Sequence, residues 1–299
     1  MRAIVLALAV IVATVAAAHA APVTVGVFAP SAPFPSTAAR VELANKLGAA
    51  FGAALHKPAA GRVYARAADF AGAVKRGEVV IALVDAAYLA SVVANHTVIA
   101  TSIVDDQPAR AWRLVGRAGT PLGGLRGKRV LVPSVGGREH DFVLNVLLAG
   151  DVGREYFEKI EPAPDTASAL AALGLGKAEA AVVPAGGELP AGMAELLALP
   201  ALPNPVLVVY GALPADERKA VAEAAAGFKG DATIAGFRAG DGDAVRGLAR
   251  RFFTSSKPGP FAVPAAKPAV TELAQSRTFA IERTPAAAFA VAPPLGTGR

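Results

Sequence analysis

The chain has 299 residues with a formal charge of +6, and 54% of its residues are hydrophobic, a fraction swollen by alanine. There is no cysteine, which excludes disulfides, thiolate metal sites and a lipidated N-terminal cysteine, so the fold stands on its apolar core. The mild basic excess suits small acidic molecules or anionic surfaces. Scattered basic residues and few aromatics argue against nucleic acid.

In chain order, Arg2 precedes an apolar run from Ala3 to Ala18 and then Ala18-His19-Ala20, a small-x-small pattern. This predicts a signal peptide over 1–20, cut after Ala20, and export to the periplasm. Val23 to Phe28 alternates as a strand, "APSAPFP" is a proline-rich loop, and Ser36 or Thr37 caps a helix with Val41, Ala44, Leu47, Phe51 and Leu55 on its apolar face. Asp69 is expected to cap a short helix ending at Gly77, and Val79 to Val84 reads as a fully buried strand.

The same order returns further along. "KRVLVPSVGGREHDFVLNVLLAG" (128–150) is again strand, loop and helix, with Phe142, Val143, Val146 and Leu147 on one face. "DTASALAALGLGKAEAAVVPAGG" is again a capped helix, a glycine stop and a strand from Ala180 to Val183. Strands alternating with helices predict two α/β lobes, each a mostly parallel sheet flanked by helices. "TVIATSIVDDQPARAWRLVGR" carries the chain from one sheet to the other and "LPALPNPVLVVYG" brings it back, so two crossover strands form the hinge. Residues 21–108 and 204–253 are expected to make the first lobe and 109–203 the second. A proline- and alanine-rich extension with one edge strand in "RTFAIER" fills 254–299. Open sheets bind ligands beyond the carboxyl ends of their strands, so both lobes should offer loops to one cleft.

These segments resemble the periplasmic solute-binding proteins of phosphate, phosphite and phosphonate ABC transporters, in the type 2 periplasmic-binding fold. "VTVGVFAPSAP" is similar to the first strand and its ligand-facing loop, and "AVKRGEVVIALVDAAYL" to the helix, glycine and strand that lead to an aromatic. "RAGTPLGGLRGKRVLV" carries a Leu-x-Gly-Lys linker in Leu125, Gly127, Lys128 and Val130, and "LPNPVLVVYGALPADERKAV" is similar to the return segment. The resemblance implies a binding protein that closes on a small anionic molecule and delivers it to an inner-membrane ABC permease, with no cofactor and no catalysis. We treat it as a monomer. A relative of such proteins that acts as a periplasmic sensor or scaffold is the alternative.

The 134–141 loop departs from the pattern. Where the family places several hydroxyls, only Ser134 remains. Gly136 and Gly137 still permit close backbone approach, and Arg138 could pair with an oxyanion, while Glu139 and Asp141 would repel a second negative charge. A carboxylate, a zwitterion and a phosphorylated ligand all stay open. The candidate ligand residues are therefore Ser134, Gly136, Gly137, Arg138 and His140 from this loop, Ser31 and Phe34 from the first strand's loop, and Asp85 and Tyr88 after "VVIALV". Asp85 could bind an amine, or cap the turn that follows it, which is the reading its position favours. His56, His96 and His140 lack metal-ligand spacing, and no serine–histidine–acid set is evident.

Overall fold

The computed structural model describes residues 22–240 and 242–253. The expected signal peptide (1–20) and the expected edge strand in "RTFAIER" lie outside the described residues. Two mixed sheets organise the rest. The first has the order β11-β4-β10-β3-β1-β2, with β1 (Val23–Phe28), β2 (Ala59–Val63), β3 (Val79–Val84), β4 (His96–Ile103), β10 (Val206–Tyr210) and β11 (Gly236–Ala239). The second has the order β7-β6-β8-β5-β9, with β5 (Ala109–Arg117), β6 (Arg129–Pro133), β7 (Lys159–Ala163), β8 (Ala180–Pro184) and β9 (Met193–Pro203).

The sheets are less parallel than the alternation of strands and helices predicts. In each, one strand lies between two parallel neighbours: β1 between β2 and β3, and β6 between β7 and β8. The remaining pairings, through β10, β4, β11, β5 and β9, are antiparallel. The reason is the connection. Helical crossovers return the chain in the same direction, whereas the crossover strands enter each sheet directly from the other and run against their neighbours.

The side-chain period of two sorts the core. Val25, Val27, Ile81, Leu83, Leu207 and Val209 face the helices Thr37–Leu55 and Ala215–Gly227. Phe28, Ala82, Val84, Val206, Val208 and Tyr210 face the opposite way, into the largest apolar cluster. That cluster is shared by both lobes: Phe28, Phe70 and Tyr88 of the first pack in it with Trp112 and Phe142 of the second. Phe252 stacks on Phe142 at 5.9 Å, and Trp112 meets the same ring edge-on at 5.1 Å. The helix Asp243–Phe253, the last among the described residues, bridges the lobes, burying Val245, Leu248 and Phe252 against the Ala86–Ser91 helix and the segment around Val146.

Three local expectations change. Val41 is 42% exposed, and Leu43 takes its place on the buried face, because Gly48 and Gly52 turn that face onto β2. A methyl group on Gly61 of β2 would lie 2.0 Å from the Ala44 carbonyl, so helix and strand meet backbone to backbone. Asp69 does not cap its helix. The N-cap is Arg66, whose guanidinium takes the Asp69 carboxylate at 2.8 and 3.0 Å. Finally, the helix after the 134–138 loop is one α-turn, Glu139–Asp141, running into a π-helix, Phe142–Leu147, whose wider turn buries five of its six side chains.

The two crossovers lie side by side. Asp105 and Asp106, both at positive φ, form the tight turn between β4 and β5, closed by Val104 and Gln107. Buried Asn204 joins the turn to the return segment. Its side-chain amide donates to the Ser102 and Gln107 carbonyls at 3.3 and 2.7 Å, and its backbone N–H donates to Pro108 at 3.0 Å.

Candidate functional site

Parallel neighbours end at the same edge of a sheet, so the loop after β1 and the residue after β3 meet. Phe28 is level with Val84, and the Asp85 N–H donates to the Phe28 carbonyl at 3.0 Å. The Asp85 carboxylate does not cap its own helix. It accepts the Ser31 N–H and the Ser31 hydroxyl, both at 2.7 Å. Burial pushes this carboxyl up to about 6, tempered by the Ser31 bonds and by the Arg110 and Arg40 guanidiniums. Arg110 in turn donates to the Ser31 carbonyl at 2.7 Å, and burial lowers its own pKa.

The second lobe repeats the device with a different acid. Ser134 to Arg138 wrap around the carboxylate of Glu139, which is only 5% exposed. Its Oε1 accepts the N–H groups of Val135 at 3.0 Å and Gly137 at 3.1 Å, with the Ser134 hydroxyl at 3.4 Å. Gly136 and Gly137 sit at φ 83° and 94°, which turns successive amides inward. The loop is an anion cradle, as its glycines imply. Its anion belongs to the chain.

Arg138 turns away from the cradle. It pairs with Asp141 at 2.8 Å, donates to the Phe252 carbonyl at 3.3 Å, and lies over the rings of Phe252 and Phe253. It thereby clasps the last described turn of the helix Asp243–Phe253. His140 is engaged within its own lobe, with Nε2 3.1 Å from the Arg154 carbonyl. Tyr88 roofs the cradle from the first lobe: a methyl group on Gly136 would lie 2.7 Å from a Tyr88 ring carbon. The Ser91 hydroxyl donates to the Val135 carbonyl at 3.0 Å beside it.

A second meeting of the lobes leaves a space. The helix Thr166–Gly174 starts against the loop after β1, with the Thr166 N–H donating to the Pro30 carbonyl at 3.1 Å. Asp165 caps that helix through Ser168 and accepts from Arg40 of the first lobe at 2.9 Å, while Arg40 lies over the Phe34 ring. Burial opposes ionisation of Asp165, but the Ser168 and Arg40 bonds outweigh it and its pKa falls below the usual value. Between these contacts and the crossovers is a cavity of about 310 Å³, lined by Phe34, Asp105, Arg110, Thr166, Gly186 and Glu188 among others. Arg113, buried behind it, donates to the carbonyls of Gly186 and Gly187 at 2.6 and 3.2 Å. The Nε atoms of Arg40, Arg110 and Arg113 are buried with no hydrogen-bond partner.

The structure thus gathers Ser31, Phe34 and Asp85 at the cavity side, and Tyr88, Ser134, Gly136 and Gly137 at the filled cradle. Arg138 and His140 stand apart from both. Arg40, Arg110 and Thr166 are the residues that sequence reasoning passes over. Arg110 lies in a crossover strand and Arg40 on an outward helix position, and neither carries a local motif. Among the described residues no group of three or more acidic or histidine side chains could hold a metal, and no helix is long and apolar enough to cross a membrane.

No family model matches the chain, and no curated protein matches it in sequence. Solved structures match it in shape. XAC2383 from Xanthomonas citri, bound to ATP, gives a TM-score of 0.60 at 10% identity, over 78% of this chain and 97% of its own. The binding-protein component of an ABC phosphonate transporter from Pseudomonas aeruginosa also gives 0.60 at 10% identity, over 77% and 85%. PhnD1 from Prochlorococcus marinus, in complex with methylphosphonate, gives 0.59 at 11% identity, over 77% and 96%. The fold is that of the two-lobed binding proteins. This is the architecture the resemblance implied, and at such identities the likeness is one of fold, with function left to the site.

Proposed function

We propose that the chain is a periplasmic solute-binding protein serving an ABC permease, and that it takes a small solute carrying an anionic group between its lobes. In this reading 21–108 with 204–253 and 109–203 are the jaws, closing about the paired crossovers. The cavity beside Arg110 carries the reading. It draws its walls from both lobes and from the crossover, and the Arg110 side chain is among the groups that line it. Its volume is at the lower end of small-molecule sites. Ser31, Phe34 and Asp85 support the first-lobe wall. Asp105, Asp165 and Glu188 also line the space, so a monocarboxylate or a zwitterion suits its charges better than a phosphate dianion.

The test is a thermal-shift panel of small carboxylates, amino acids, methylphosphonate and inorganic phosphate. At about a hundredfold excess over Kd a true ligand adds about 2.7 kcal/mol, which for a chain of this size is roughly 4–5 °C. Arg110→Ala should abolish the shift while leaving the circular dichroism intact. Silence across the whole panel, or a shift that survives Arg110→Ala, refutes the reading.

The sensor or scaffold reading has one observation in its favour. The lobes are already joined by Ser91–Val135, Thr166–Pro30, Arg40–Asp165 and a shared apolar cluster. A radius of gyration that stays the same with every solute, measured by small-angle scattering, would favour it.

A further inference from the structure

We infer that Glu139 is a specificity determinant: its carboxylate stands in for the solute's oxyanion in the second-lobe cradle and closes that loop to phosphate-like groups. The inference deepens the solute-binding reading and takes its biological meaning from it. Three donors of two kinds converge on one oxygen, Oε1: two backbone amides and a hydroxyl, at 3.0, 3.1 and 3.4 Å. The carboxylate and Val135 are buried, and Tyr88 covers Gly136 from the opposite lobe. An incoming oxyanion would have to evict a covalently tethered anion that cannot diffuse away. If Glu139 stayed in place, the incoming oxyanion would find the Val135 and Gly137 amides and the Ser134 hydroxyl already taken. On the first lobe the Ser31 N–H and hydroxyl are likewise spent on Asp85, so no equivalent donor set is free there.

The alternative is that Glu139 is only a loop brace. The two readings part on deletion. Glu139→Ala removes the tethered anion, leaves the Val135 and Gly137 amides pointing inward, and vacates room for a small oxyanion. If Glu139 excludes oxyanions, this variant gains inorganic phosphate binding by at least about a hundredfold, the scale of two restored charge-assisted bonds. If Glu139 is a brace, the variant loses stability and gains nothing.

The experiment is a phosphate titration followed by ¹⁵N–¹H spectra. Expected are moving Val135 and Gly137 amide signals in Glu139→Ala, and still signals for the same amides in the native chain at millimolar phosphate. A folded Glu139→Ala whose cradle amides ignore phosphate overturns the inference, as does movement of those amides in the native chain. Should the alanine variant fail to fold, Glu139→Ser also withdraws the side chain from the cradle, and phosphate must then shift its cradle amides; unmoved signals there overturn the inference as well. These readouts are separate from the Arg110 cavity, so a failed solute panel and a failed cradle titration cannot be confused.

Discussion

Asp85 is a buried acid whose ionisation the fold resists, and that resistance is measurable. Raising its carboxyl from the usual 3.8 to about 6 corresponds to about 3 kcal/mol between the protonated and ionised forms. The sign follows from which state holds the proton. Between pH 4 and 6 the folded chain keeps a proton that the unfolded chain releases, so the associated stability is complete below about pH 4 and lost as pH rises through 6. Asp85→Asn removes the titration while keeping the shape. It also leaves one Ser31 donor facing an amide, a fixed cost of about 1–3 kcal/mol that does not vary with pH. The decisive quantity is therefore the difference in unfolding free energy, variant minus native, followed by urea titration from pH 3.5 to 8. Trp112 serves as the probe, being the only tryptophan and packed in the cluster that both lobes share. That difference should rise by about 3 kcal/mol across the range, mostly between pH 4 and 6.5. A flat difference, or a native chain that gains on the variant as pH rises, would show that Ser31, Arg110 and Arg40 compensate burial fully.

Two packing predictions follow from close approaches. Gly61→Ala puts a methyl group 2.0 Å from the Ala44 carbonyl, and neither backbone can step aside, so a loss of about 2 kcal/mol or more is expected on denaturant unfolding; a loss under about 0.5 kcal/mol would mean the Thr37–Leu55 helix slides freely on β2. Asn204→Ala strands the Ser102 and Gln107 carbonyls between the crossovers and should cost about 2 kcal/mol. Asn204→Asp should be worse, because a charge then faces two carbonyls; an aspartate variant equal to or better than alanine on the same titration refutes this account.

The parts of the fold that local physics controls were legible. Six alternating or continuous apolar residues are enough to specify Val23–Phe28 and Val79–Val84, and Ser36 marks its helix because only a side-chain oxygen there satisfies the Ala39 N–H. Asp165 is legible for the same reason, through Ser168. Its second partner is not: Arg40 lies 125 positions away and meets it only once the lobes face each other. The Val41 and Asp69 expectations failed because a helical stripe gives a face but not its aim, and a neighbouring Arg66 guanidinium competes for the acid.

The site divides along the same line. Composition and spacing identified a glycine-bearing loop able to hold an anion, and an acid at the end of a buried strand. Which anion fills the loop depends on the Glu139 side chain folding back through the positive-φ glycines, a matter of dihedral geometry that residue types do not encode. Order along the chain was enough for two α/β halves linked by paired crossovers. Only tertiary structure decided that the two lobes meet through Tyr88 and Gly136, and that each spends its donors on an acid of its own. It also decided that open space survives beside Arg110, because such choices are settled by pairings between residues that share no local signal.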